Sequence, residues 1–299
     1  MLKSNLGELA ALATAVCWTF TSLSFESAGK KVGSLAVNYI RLYIGLLFLC
    51  LFTYFTRGYL LPVDAGSHNW IWLSLSGVIG FTIGDLLLFQ AFVVVGARIS
   101  MLIMSLVPPI TALIGFLFLG EVLTLPEIGA MFVTVLGISL VVLERGARNG
   151  VMKFKHPLSG LLFAFGGAVG QAMGLIFSKH GMGDYNAFAA TQIRVIAGIF
   201  GFTLLFFLTK RWQKVFSALR NHSAMRRITL GSFFGPFLGV SMSLIAVQYT
   251  LTGIASTIMA IVPILIIPPA IIYFKEKVTA KEFFGAVIAV AGVAFYFIH

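Results

Sequence analysis

Asp85 is the one carboxylate well inside an apolar run of this sequence, and the chemistry open to it is narrow. It lies near the middle of its run, on a helical face shared with Thr82 and Phe89. An ionised carboxylate among apolar neighbours is costly unless water or a cation meets it. It can bind an amine, take up and release a coupled proton, or form a structural ion pair with Arg41 or Arg194. Those two arginines sit about two turns into their own runs, ~10 Å from a helix end at ~1.5 Å per residue. That is within snorkelling reach of an interface, so a gating or structural charge is the favoured role. Recognition of a carboxylate or phosphate is the alternative.

Neutral polar groups form a second set. Thr14, Trp18, Thr21 and Phe25 fall along one helical face, and Gln171 and Ser178 along another. Ser105, Ser241, Gln248 and Ser256 rank below them, since a serine often only bonds its own helix. Gln90 projects from a different face than Asp85 and ranks lower still. Catalytic chemistry finds little footing. His68, His156, His180, His222 and His299 lie in loops or at run ends, without metal-ligand spacing, and the apolar runs lack nucleophile–base pairs. No metal and no cofactor is expected.

These side chains must be positioned by helices in lipid. The chain is 59% hydrophobic and only 10% charged, against about 25% charged in a soluble domain. Apolar runs of ~20 residues recur along it, and none shows the alternation of an outer-membrane barrel strand. They predict ten spans at roughly 5–25, 34–56, 69–94, 98–119, 125–144, 157–180, 187–209, 226–249, 253–274 and 280–298. The first run is long for a signal peptide, lacks a clear cleavage site and is read as retained. Cys17 and Cys50 fall inside runs and define no disulfide framework. The net charge of +11 comes from Lys and Arg at helix ends, so nucleic acid is not an expected partner.

The spans are duplicated. Pro108, Glu121, Thr124, Glu127 and Gly137 are answered 155 residues later by Pro263, Glu276, Thr279, Glu282 and Gly292. Gly80 and Gly84 are answered by Gly235 and Gly239 at the same interval, and Gly7 and Arg41 by Gly160 and Arg194 at 153. The expected domains are a five-helix repeat at 1–145, a linker at 146–156 and a second repeat at 157–299. Five spans is an odd number, so the second copy must run through the membrane upside down. Inverted repeats of this kind characterise secondary transporters. Of the 21 Lys and Arg, only Lys3, Arg57 and Lys179 lie on the side of the termini. All the others outside the spans lie opposite, which puts the termini outside.

Symmetry also organises the candidates. Thr14, Trp18, Thr21 and Phe25 correspond to Gly167, Gln171, Gly174 and Ser178: one wall aromatic, the other polar, with Gln171 favoured to face a cavity. Thr124-x-x-Glu127 and Thr279-x-x-Glu282 read as capping boxes. The two G-x-x-x-G pairs read as packing seams. Pro108, Pro109, Pro263, Pro268 and Pro269 break the fourth span of each half. The carbonyls behind Pro108 and Pro263 could border a solute path.

The stretches L-F-Q-A-F-V-V-V-G-A-R-I-S, V-P-P and L-G-E-V-L-T-L-P-E-I-G-A resemble the EamA family of the drug/metabolite transporter superfamily. So do their echoes A-V-Q-Y-T-L-T-G-I-A-S, V-P-I and K-E-K-V-T-A-K-E-F-F-G-A. The resemblance extends over about the whole chain. It implies an all-helical fold of ten transmembrane helices in two inverted five-helix repeats. Helices one, three and four of each half would line a central cavity, the second helices gate it, and the fifth stay peripheral. It also implies a multi-pass protein of the bacterial inner membrane that moves, and often exports, small metabolites such as amino acids or amphipathic and aromatic compounds. Proton coupling through Asp85 is one of its two functional roles. The chain departs from the small multidrug resistance proteins, whose first helix carries an embedded Glu; here that helix has only Glu8, near its edge.

The expected partners are a small solute and the lipid bilayer. ATP is excluded by the lack of a phosphate-binding loop. The rival readings are an intramembrane enzyme, a channel, and an organic-phosphate or nucleotide-sugar exchanger, the last calling for more buried Lys and Arg. Oligomeric state is not encoded in these features.

Overall fold

A computed structural model describes residues 5–148, 157–274 and 278–298. The expected linker falls mostly outside these residues, as does Glu276, and nothing is said of the Phe89 side chain. Among the described residues, ten helices are long and apolar enough to cross a membrane. They are α1 (Leu6–Val32), α2 (Ser34–Arg57), α3 (Ser67–Leu88), α4 (Ser100–Leu119) and α5 (Leu125–Glu144), followed by α6 (Leu158–Met182), α7 (Ala187–Thr209), α8 (His222–Tyr249), α9 (Thr252–Pro269) and α10 (Ala280–Ile298). The first helix outruns its expected end and carries Lys30 and Lys31 in its last turn. Left-handed Gly58 and Gly120 close α2 and α4, a conformation that costs glycine little. Large apolar side chains such as Leu47, Phe55, Phe200 and Phe207 face outward, as a lipid solvent permits.

The fourth spans break where their prolines require it. The helix stops at Ser105–Leu106 and restarts at Val107, with Pro108 in the new first turn, where its missing N–H costs nothing. In the second half the helix ends at Met259 and restarts at Val262, and again at Ile267 before Pro268 and Pro269. Between α3 and α4 the backbone stays helical from Asp85 to Met104.

A further irregularity has no proline in the first half to announce it. Residues Val78–Gly84 and Phe233–Gly239 are π-helical, and the two segments lie 155 residues apart, each spanning its G-x-x-x-G pair. The wider π turn shifts every later side chain around the helix axis, a device common at functional sites. Asp85 and Val240 are the first residues after these segments.

The two halves interlock. Each helix packs mainly on the other copy: the first helices on the third (α1 on α8, α6 on α3), and the second, fourth and fifth on their counterparts (α2 on α7, α4 on α9, α5 on α10). The α3–α6 contact is a glycine seam. A Cβ on Gly170 would lie 2.9 Å from the Gly84 Cα, and one on Gly174 would lie 3.1 Å from the Gly80 Cα. Across the pseudo-twofold axis the same contact is made with bulk on one side, with Trp18 against Gly239 and Thr21 against Gly235. The fifth helices cross at Gly137, where a Cβ would come within 2.5 Å of the Gly285 carbonyl and the Ala289 nitrogen.

Of the two expected capping boxes, the one at α10 is complete: the Thr279 N–H donates to Glu282 Oε2 at 2.9 Å and the Glu282 N–H donates to Thr279 Oγ1 at 3.2 Å. At α5 only the Glu127 limb forms, and the Thr124 hydroxyl turns to the same carboxylate.

The α5–α10 crossing makes a direct prediction. Gly137→Ala presses a methyl into backbone and is expected to destabilise by more than about 2 kcal/mol. Gly129→Ala on the same helix meets nothing within 4 Å and is expected to be neutral. Thermal unfolding of the two variants in detergent checks the contrast.

Candidate functional site

The buried charges gather at the point where α2, α3, α6 and α7 meet. Asp85 Oδ2 is ion-paired with the Arg41 guanidinium. Gln171 Nε2 donates to Asp85 Oδ1 at 2.9 Å. Both carboxylate oxygens are therefore engaged, and Asp85 is only 8% exposed. Arg194 lies within electrostatic reach of the same carboxylate, with its guanidinium 4.9 Å above the Phe81 ring. Arg41 mirrors this 5.5 Å from the Phe25 ring. Glycines make the approach possible: Gly77 of α3 lies against the Arg194 backbone carbonyl, and Gly80 lies beside its guanidinium.

Sequence reasoning offered an ion pair of Asp85 with Arg41 or Arg194 as one reading and chose Gln171 separately; the structure brings all four into one cluster. The other candidates are placed elsewhere. Thr14 donates to Ala10 O and approaches Gly239 O at 3.4 Å, while Thr21 donates to Cys17 O. With Trp18 they form the seam between α1 and α8. Ser178 shares a buried hydrogen bond of 2.7 Å with Ser76 in the α3–α6 seam. Ser105 donates to Leu102 O and Ser256 to Gly253 O within their own helices, and Ser241 donates to the Thr191 hydroxyl at 3.3 Å. Gln248 holds the Gly183 carbonyl at 2.9 Å, at the end of the bundle that carries the termini.

That end holds a second polar cluster. Lys179 is ion-paired with Glu121 at 2.6 Å and donates to Thr250 O at 2.8 Å. Glu121 Oε2 accepts from the Thr252 N–H at 2.8 Å and from its hydroxyl at 2.6 Å. The carboxylate so caps the start of α9 from the other half, where the helix dipole favours negative charge. The Thr250 hydroxyl donates to Glu8 at 2.7 Å. Beside this network a cavity of about 630 Å³ is lined by Glu8, Glu127, Lys179, Thr250 and Tyr296, among others. Glu121 was visible in the sequence only as a marker of the duplication and Lys179 only as a loop charge. The contact between them joins residues from opposite halves, which no spacing announces.

A family model described as "EamA-like transporter family" matches residues 5–143 and 158–298, once for each half. The chain belongs to the EamA-like transporter family. A solved structure described only as "Crystal structure of protein" is similar, with a TM-score of 0.77 and 17% identity, over 98% of this chain and 95% of that one. At that identity the likeness concerns the fold. No match was found among curated proteins. This EamA-like protein is thus a multi-pass membrane protein of the drug/metabolite transporter type, and its general role is transport of small solutes across a bilayer.

The central ion pair can be tested by stability. Asp85→Ala leaves two buried guanidinium groups without a carboxylate and is expected to cost about 3–5 kcal/mol. Replacing the pair together, Arg41→Met with Asp85→Leu, is expected to recover much of that loss. A double-mutant cycle on thermal unfolding in detergent measures the coupling.

Proposed function

We propose that this chain is a secondary transporter that exports small amphipathic or aromatic metabolites, amino acids among them. It works by alternating access of its two interlocked halves, with both termini outside the inner membrane. The observation that carries the reading is the buried Asp85–Arg41–Gln171–Arg194 cluster, set where helices of both inverted copies cross. Buried charge in lipid is costly and is kept where a pathway needs it. The Lys179–Glu121–Thr252 network supports a closed barrier on the side of the termini. The broken fourth helices of each half supply hinges on either side of the centre.

In this reading Asp85 is the coupling group. It exchanges the Arg41 guanidinium for a proton as the halves rock, and Arg41 and Gln171 hold it while the site is empty. Flux of amino acids into or out of proteoliposomes under an imposed pH gradient tests the scheme. Asp85→Asn is expected to lower flux at least tenfold and to flatten its pH dependence; a variant with wild-type rate and pH profile would end the coupling role. A protein that moves no solute yet turns over lipid would instead be an enzyme, and single-channel conductance would mark a channel.

The barrier has its own test. Combined Glu121→Gln and Lys179→Met substitutions remove the ion pair without removing bulk. They are expected to speed labelling of Ser256→Cys by an impermeant maleimide from the terminus side about tenfold, in protein lacking Cys17 and Cys50. Unchanged labelling would show that the pair does not hold the closure.

A further inference from the structure

The fold supplies two arginines to the centre and one carboxylate. Arg41 and Arg194 are symmetry equivalents, 153 residues apart, and each lies over an aromatic ring. The residue equivalent to Asp85, 155 positions on, is Val240. Arg41 takes the carboxylate. Arg194 is 6% exposed, and among the described residues it makes no ion pair or side-chain hydrogen bond. Its buried Nε has no acceptor, and the Phe81 ring lies 4.9 Å from its guanidinium. A cation–π contact recovers only part of what desolvating a guanidinium costs. The cluster so holds one uncompensated positive charge. Glycine keeps the neighbouring wall bare, since a Cβ on Gly80 would come to 3.5 Å from Arg194 Nη2.

We propose that Arg194 receives a carboxylate of the transported solute. The inference rests on the transport reading and narrows it to carboxylate-bearing solutes. A guanidinium presents paired donors that match a carboxylate bidentately. One uncompensated cation balances one negative charge, which favours a monocarboxylate over a phosphate dianion. In the empty protein the unpaired charge lowers stability, and the arriving solute removes that cost.

Thermal unfolding of the purified full-length protein in detergent tests this with paired probes. These are L-amino acids against their amides, and 3-phenylpropionate against 3-phenylpropanamide. Carboxylates are expected to raise the Tm of the wild type at millimolar concentration, and the amides to leave it unchanged. Arg194→Met, which keeps an apolar stem, and Arg194→Gln are expected to weaken that binding at least tenfold, while Arg194→Lys retains part of it. Without ligand, Arg194→Met is expected to unfold at or above the wild-type Tm. Acids and amides acting alike, no carboxylate raising the Tm, or Arg194→Met losing stability with binding intact would each overturn the proposal, the last making Arg194 a strut over Phe81. Carboxylate flux at wild-type rates in Arg194→Met would sink the inference and leave the transport reading standing. Arg194-dependent binding without flux of any solute would do the reverse.

Discussion

In lipid, two helices gain nothing by hiding apolar side chains from one another. Their cohesion must come from close backbone contact and from polar groups that have nowhere else to turn. The structure depends on that constraint at every crossing between its halves. Gly170 and Gly174 lock into Gly84 and Gly80, Gly137 meets the backbone of α10, and Gly45 lies against Pro236 of α8. Where Gly174 is answered by Thr21 in the other copy, the bulk is received by Gly235. Because the main packing of each helix is on the other copy, neither half has a core of its own.

The frame is symmetric and its side chains are not. The backbone repeats down to its π-helical segments. The chemistry on it does not: Asp85 corresponds to Val240 at an interval of 155, and Gln171 to Trp18 at 153. In each pair the two copies carry different chemistry. At the end with the termini, Glu121 reaches over to cap α9 and holds Lys179, so a helix start and a salt bridge share one carboxylate. The centre is built likewise, with a carboxylate from α3 held by a cation from α2 and an amide from α6.

Much of this was legible in the residues. The ten spans, the broken fourth helices, the close-packing glycines and the inverted copies follow from hydropathy, proline and interval. All of these are local signals or comparisons of the chain with itself. Asp85, Arg41, Arg194 and Gln171 stood out because a charge or amide in an apolar run is conspicuous. Which arginine Asp85 takes, and that Gln171 joins it, was not legible, since it depends on how α2, α3, α6 and α7 rotate against one another. Trp18, Thr14 and Thr21 were read as a cavity wall by their shared face and lie in the α1–α8 seam. A helical face does not say what it faces.

The sequence by itself determined the solvent, the number of spans, the duplication and its inversion, because composition and periodicity act along the chain. Only the tertiary structure decided which helix meets which, that the halves interlock, and that Asp85 pairs with Arg41 and leaves Arg194 without an ion pair. Pairing of that kind is fixed by the rotation of packed helices and by π turns. Those arise from contacts between residues as far apart as 86 positions, for Asp85 and Gln171, or 131, for Glu121 and Thr252.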